Sequence, residues 1–239
     1  MPAPYPFIPI PPGSIDEPFE HNAINMAAAH NVFVQGINAI VHHAPNITPE
    51  KVDPFMTFCM AVFESIHHHH SVEEAVFFPE IEAKLGKGAM SGNIDEHHLF
   101  VPQLAEFEEY LGRIKKGEEK YDGGVLLERL NGFTDVMLEH LNHEVETLDP
   151  ARLRAAFTAR ELKVIGDKVF KAAMSDVDYH IVMPLVMVSL NPATPWFPPI
   201  PLPVRWAIRF YFSWKHADAW EFGAVDFRGR PRLPLPASK

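Results

Sequence analysis

Cysteine is nearly absent from the chain. Cys59 is the only one, so no intrachain disulfide can form, and a reducing compartment suits the sequence. Basic residues are outnumbered, 21 Lys and Arg against 31 Asp and Glu, giving a formal charge of -10. An acidic surface repels phosphate backbones and the sequence holds no long Lys/Arg stripe, so no nucleic-acid partner is expected. No uninterrupted apolar run reaches the ~18 residues of a membrane span, so no transmembrane segment is expected. The opening Met1-Pro2-Ala3-Pro4-Tyr5-Pro6 lacks the basic start and apolar run of a secretory leader. Together these absences predict a soluble, cytoplasmic protein.

What the chain has in abundance is histidine, with 14 in 239 residues. They are internal, running from His21 to His216, so a terminal tag does not account for them. At 47% hydrophobic and 22% charged residues, the chain can bury a sizeable core.

Seven prolines in the first 18 residues predict an extended arm over 1–17, since proline offers no backbone donor. Helical periodicity then runs from about 18 to 43 through Ala23, Met26, Ala27, His30, Phe33, Val34 and Ile37. A second helix is predicted from Thr48-Pro49 to Leu85, with a kink or break at Pro79. A third spans 91–116 with a kink at Pro102, and a fourth runs from Gly123 or Gly124 to Asp149-Pro150. Four long helices with short connections predict an all-α antiparallel four-helix bundle over 18–150. Residues 151–239 form a C-terminal extension packing on it: helical to 190 with a break at Pro184, a proline-rich linker, an aromatic helix over about 203–216, and an irregular tail.

One pattern occurs twice. His69 is followed by Glu73 and Pro79, and His140 by Glu144 and Pro150, with identical spacing 71 residues apart. Residues i and i+4 share a helix face, so each imidazole points the same way as its carboxylate. Two such pairs on antiparallel helices present two His and two Glu to one cavity, as carboxylate-bridged metal sites in bundles do. His30 and His97 lie on apolar stripes of the other two helices and point inward as well. The run His67-His68-His69-His70 leaves an alternative, because His70/Glu74 has the spacing of His69/Glu73. The first pair is preferred for its match to the proline offset of the fourth helix. His97 is preferred to His98, and His140 to His143, which shares a polar face with Glu139 and Glu146. His70, Glu74, His98 and His143 are therefore alternative ligands or groups that orient ligands. His21 is out of phase with His30, and Cys59 reads as a small buried residue.

With Ala29-His30-Asn31, His69 to Glu73 followed by Phe77-Phe78-Pro79, Glu96-His97, and His140 to Glu144, the chain resembles the hemerythrin-like family with the His-His-Glu cation-binding domain. The resemblance covers about 18–150. It implies two iron ions (Fe2+/Fe3+) with a bridging oxygen species, iron ahead of manganese or zinc, held by His30, His69, Glu73, His97, His140 and Glu144. It implies dioxygen as a partner. Relatives include oxygen carriers, iron or oxygen sensors, and proteins acting on peroxide or nitric oxide. The oxygen carriers of the family use five histidines and two carboxylates; this reading finds four and two. That count is closer to the iron-sensing and bacterial hemerythrin-like members than to the carriers, and the large aromatic extension motivates the expectation of a non-haem di-iron oxidoreductase acting on a small organic substrate, aromatic ones included. The alternative is a protein that binds or senses oxygen, nitric oxide or iron without turnover. In the extension, Trp206, Phe210, Tyr211, Phe212, Trp214 and Trp220 with Arg205, Arg209 and Lys215 read as a helix packed on the bundle, or else as a membrane-surface or partner-binding helix.

Overall fold

The computed structural model describes residues 5–234 and 236, so residues 1–4 of the predicted arm and the last few of the tail lie outside the described residues. Helices α1 (His21–His43), α2 (Val52–Val72), α4 (Ser91–Lys115) and α5 (Gly123–Thr147) are the long elements, with the short α3 (Phe78–Leu85) prolonging the second. Each long helix packs on two neighbours in the ring order α1, α2, α4, α5, which closes a four-helix bundle. No strand occurs among the described residues, where a single bridge joins Val225 to Pro231. No helix among them is long and apolar enough to cross a membrane.

Local sequence sets the helix ends. Asp122 caps α5 by accepting from the amides of Gly124 and Val125. Gly86, at φ 99°, stops α3 in a conformation that L side chains rarely adopt. Inside, Phe63 packs edge-on against Phe107 and Phe133, with centroids 4.9 and 6.0 Å away, and ties α2 to α4 and α5.

The prolines behave in three different ways. Before Pro79, the helix widens into a π-turn over Glu73–Phe77 in which the Phe78 amide donates to the Glu73 carbonyl. Helix α4 runs through Pro102, within the span predicted for the third helix. The proline ring is exposed, and the carbonyl it leaves without a donor belongs to His98, itself an exposed residue. The break expected at Pro184 is absent. Helix α8 (Tyr179–Val188) includes that proline, and burial of Leu185, Met187 and Val188 outweighs one lost hydrogen bond.

The arm lies along α1. Asn31 accepts from the Ile8 amide at 2.8 Å and donates to the Ile8 carbonyl at 3.0 Å. Asn38 does the same for Tyr5 at 3.1 and 2.9 Å. Each asparagine acts as a strand partner for one of the few non-proline residues that still have an amide to give.

Beyond the bundle follow α6 (Pro150–Ala156), α7 (Ala159–Ala173), α8 and α9 (Leu202–Ala207). Helix α7 opens with a Thr158–Glu161 capping box. It lies against α2 and the π-turn, and pairs with α3 through Lys84–Glu161 at 2.7 Å and Lys168–Glu80 at 2.5 Å. The chain then reaches the opposite end of the bundle, where Phe222 packs on Phe55 and His43 at 5.0 and 5.3 Å.

Candidate metal centre

Seven side chains converge between the four long helices: His30 of α1, His69 and His70 from the end of α2, Glu73 of the π-turn, His97 of α4, and His140 and Glu144 of α5. They fall into two groups, each with ligand atoms within 4.8 Å of one another. His70, His97 and His140 make the first; His30, His69, Glu73 and Glu144 make the second. The two carboxylates lie between the groups. Glu73 places Oε1 2.8 Å from His69 Nε2 and Oε2 3.8 Å from His97 Nε2. Glu144 Oε2 lies 3.4 Å from His30 Nε2 and 3.8 Å from His140 Nε2.

The outward nitrogens are already committed. His30 donates Nδ1–H to the Leu141 carbonyl at 2.8 Å and His70 to the Ile66 carbonyl at 2.8 Å. His97 Nδ1 donates to Glu74 Oε1 at 2.7 Å, and His140 Nδ1 to Glu96 Oε2 at 2.8 Å. A neutral imidazole with its proton on Nδ1 has a bare lone pair on Nε2. Four such lone pairs therefore face the cavity. His97 and His140 set theirs 3.0 Å apart with no proton left to share.

Burial reinforces this. His140 is pushed down to about 4 by burial, and His70 goes well below the usual imidazole range through burial and the neighbouring imidazoles. His69 and His97 are lowered by burial too. Glu73 moves the other way, well above the usual carboxylate range, because it is buried and faces Glu144. His70 Nε2 and all four carboxylate oxygens of Glu73 and Glu144 are buried without a hydrogen-bond partner. Buried polar atoms of that kind, gathered round one cavity, cost stability unless a cation joins them. The donor set therefore fits metal ions, with nitrogen and carboxylate donors suited to iron, manganese or zinc.

Sequence spacing treats His69/Glu73 and His70/Glu74 as alternatives, and here the structure differs. Both histidines reach the cavity: adjacent residues lie about 100° apart on a helix, and the two rings, 5.3 Å apart, fall one in each donor group. Their glutamates separate: Glu73 turns inward, while Glu74 turns to the Nδ1 side of His97. The histidine count at the cavity is thus five, not four. His143 is exposed and shares Glu96, at 3.3 Å from Oε1. His98 is exposed and joins neither group. The carboxylate behind His140, Glu96, had a visible signal: an acid beside a core-facing histidine on the facing helix.

An aromatic shell closes the site. Phe100 stands 5.0 Å from His70 and 5.4 Å from His140, Phe78 is 5.6 Å from His97, and Phe33 is 5.1 Å from His69. His69 alone among the seven keeps an appreciable exposed edge, 21% of its side chain, while the others are buried.

The family model for the hemerythrin HHE cation binding domain matches residues 23–151. Among characterised proteins, the chain is similar to the dimeric xanthone biosynthesis cluster protein R11 of Cryptosporiopsis sp. (strain 8999), at 24% identity over 242 aligned residues that cover 97% of this chain and 90% of that one. No solved structure gives a significant match. A match over more than half of its length, on the segment that carries all seven convergent side chains, places this chain in the hemerythrin family.

Proposed function

We propose that the chain holds two iron ions and works as an oxidoreductase, reducing dioxygen and oxidising a small organic molecule. One observation carries the reading: Glu73 and Glu144 of one donor group lie 3.8 Å from His97 and His140 of the other, and their four oxygens and His70 Nε2 are buried without a hydrogen-bond partner. His70, His97 and His140 would hold one ion and His30, His69, Glu73 and Glu144 the other, with each glutamate also within 3.8 Å of a histidine of the first group. Iron supplies, when bound, the electrons that dioxygen needs. The protein's own part is to keep the proton of four of the five imidazoles on Nδ1, through Glu74, Glu96 and two backbone carbonyls, and to keep water out with Phe33, Phe78 and Phe100. A small molecule enters at the exposed edge of His69, beside Phe33. The relative named for a xanthone biosynthesis cluster spans the extension as well as the bundle, which makes an aromatic substrate the first class to try.

A second reading has its own support. Five histidines with two carboxylates is the donor set of the family's oxygen carriers, and the site assembles that number. Reversible oxygen binding without turnover is the alternative it favours. Anaerobic purification from iron-fed cells, metal analysis and oxygen addition separate the two. About two irons per chain, with oxygen consumed only when an aromatic substrate is oxidised, supports the enzyme. A spectrum that reverses on removing oxygen, with no product, supports the carrier. Iron well below one per chain would sink both.

A further inference from the structure

The extension presents an apolar stripe that nothing in the bundle covers. Helix α9 and the π-turn Ile208–Phe212 form one continuous helical segment. Ile208 faces inward and is fully buried. On the outer side, Leu202, Trp206, Phe210 and Trp214, each four residues from the last, are 72, 66, 60 and 78% exposed, with Tyr211 beside them at 65%. At the ~150–250 Å² that an aromatic side chain presents, the four aromatics alone leave roughly 500 Å² of ring surface open, at the upper end of what a monomer tolerates without a use for it.

The segment that carries the stripe is basic in a chain that is acidic overall. No Asp or Glu occurs between Asp178 and Asp218, whereas the chain as a whole carries -10. Between those two acids the charged residues are Arg205, Arg209 and Lys215, the last paired with Asp178 at 2.9 Å. Arg205 and Arg209 flank the aromatics, and the Arg209 guanidinium lies 4.9 Å from the Phe210 ring centroid. A second copy of the chain seated symmetrically on this stripe would set these arginines against their own equivalents with no acid in the segment to meet them. An anionic lipid surface satisfies both features: Trp, Tyr and Phe enter the headgroup boundary while arginine stems lie along it and their heads meet phosphate.

We propose that Leu202 to Trp214 is a membrane-surface helix that seats the protein peripherally on bilayers rich in anionic lipid. The proposal is independent of what the metal centre does.

The test is sedimentation of the full chain with vesicles of phosphatidylcholine and phosphatidylserine at 3:1, against pure phosphatidylcholine. Expected are binding to the anionic vesicles, at least tenfold weaker binding to the neutral ones, and a blue shift of tryptophan emission on binding. Trp206→Ser with Trp214→Ser should lower the anionic binding at least tenfold. Arg205→Ser with Arg209→Ser is a second variant, expected to lose the preference for anionic vesicles, with circular dichroism checking that both variants keep their helices. Absence of binding to either vesicle overturns the proposal, as does equal binding by the folded double variants. So does a concentration-dependent dimer, seen by light scattering, that Trp206→Ser/Trp214→Ser dissolves while vesicle binding is absent.

Discussion

Glu96 holds His140 from across the α4–α5 interface: its Oε2 accepts the Nδ1 proton at 2.8 Å, so the Nε2 lone pair is left facing the Nε2 of His97 at 3.0 Å. The carboxylate fixes both the tautomer and the ring plane. Glu96→Ala should therefore weaken metal binding about 10–100-fold while the bundle stays folded. Graded chelator competition followed by metal analysis reads the affinity, and circular dichroism reads the fold. Glu96→Gln, which keeps an acceptor oxygen, should recover part of the loss. An affinity unchanged in Glu96→Ala would show that the interaction is incidental.

His70 and His98 make a matched pair for the donor set. His70 is buried with its Nε2 unpartnered at the cavity, whereas His98 is exposed. His70→Ala should lose at least half of the bound metal, and His98→Ala should keep all of it, by elemental analysis of protein purified alike. Full metal in His70→Ala would remove the three-histidine group from consideration.

The bundle was legible because its periodicity is long and uninterrupted, and its predicted boundaries fall within a few residues of those observed. Pro184 was read less well, since a proline's effect depends on what surrounds the carbonyl it strands: packing carries α8 through Pro184, while a π-turn precedes Pro79. The same limit applies at the site. Spacing places His69 with Glu73 on one face, but it cannot show that the end of α2 abuts the cavity so that His70 reaches it too. Nor can it show that Glu74 crosses to His97, a contact between residues 23 apart on different helices.

The donors that fit a cation also burden the metal-free fold. Glu73 and Glu144 are both buried and face each other, and burial together with Glu144 pushes the Glu73 carboxyl up. Glu73→Gln removes one buried acid. It should raise the melting temperature of chelator-treated protein by about 2–4 °C, the equivalent of ~1 kcal/mol at this size. The same change should abolish the stabilisation that added metal gives the wild type. Melting curves with and without metal for both proteins check the crossing, and a Glu73→Gln melting point below that of the metal-free wild type would contradict it.

Acid sensitivity should also arise far from the metal centre. His43, packed under Phe222, is lowered to about 4 by burial, with the neighbouring His42 charge adding to it. Its folded value lies below the unfolded value of roughly 6.5. The unfolded chain therefore takes the proton first: the stability His43 contributes is whole above pH ~6.5 and is lost as pH falls toward 4. His43→Gln should flatten the pH dependence in that window by at most one proton's worth, about 1.4 kcal/mol per pH unit. Urea unfolding at pH 4.5, 5.5, 6.5 and 7.5 measures the difference. Parallel curves for the two proteins would place the acid sensitivity elsewhere.

Gly223 fixes the tail to α8 by having no side chain. A Cβ there would meet Val188 Cβ at 2.3 Å and its carbonyl oxygen at 2.8 Å, and the same carbonyl accepts from the Val225 amide at 3.0 Å. Neither the backbone nor a β-branched side chain can yield by that much. Gly223→Ala should cost about 1–3 kcal/mol and expose the segment after α8 to limited proteolysis. Gly132 is the control: it lies in α5 with nothing within 4 Å of an added Cβ, so Gly132→Ala should be neutral or stabilise by up to ~1 kcal/mol. Metal content should be unchanged in both, because all seven converging side chains lie in residues 30–144, on α1, α2, the π-turn, α4 and α5. If Gly223→Ala lost metal as well as tail packing, the extension would be shaping the centre from outside, and its role would have to be sought at the exposed edge of His69 rather than at the far end of the bundle.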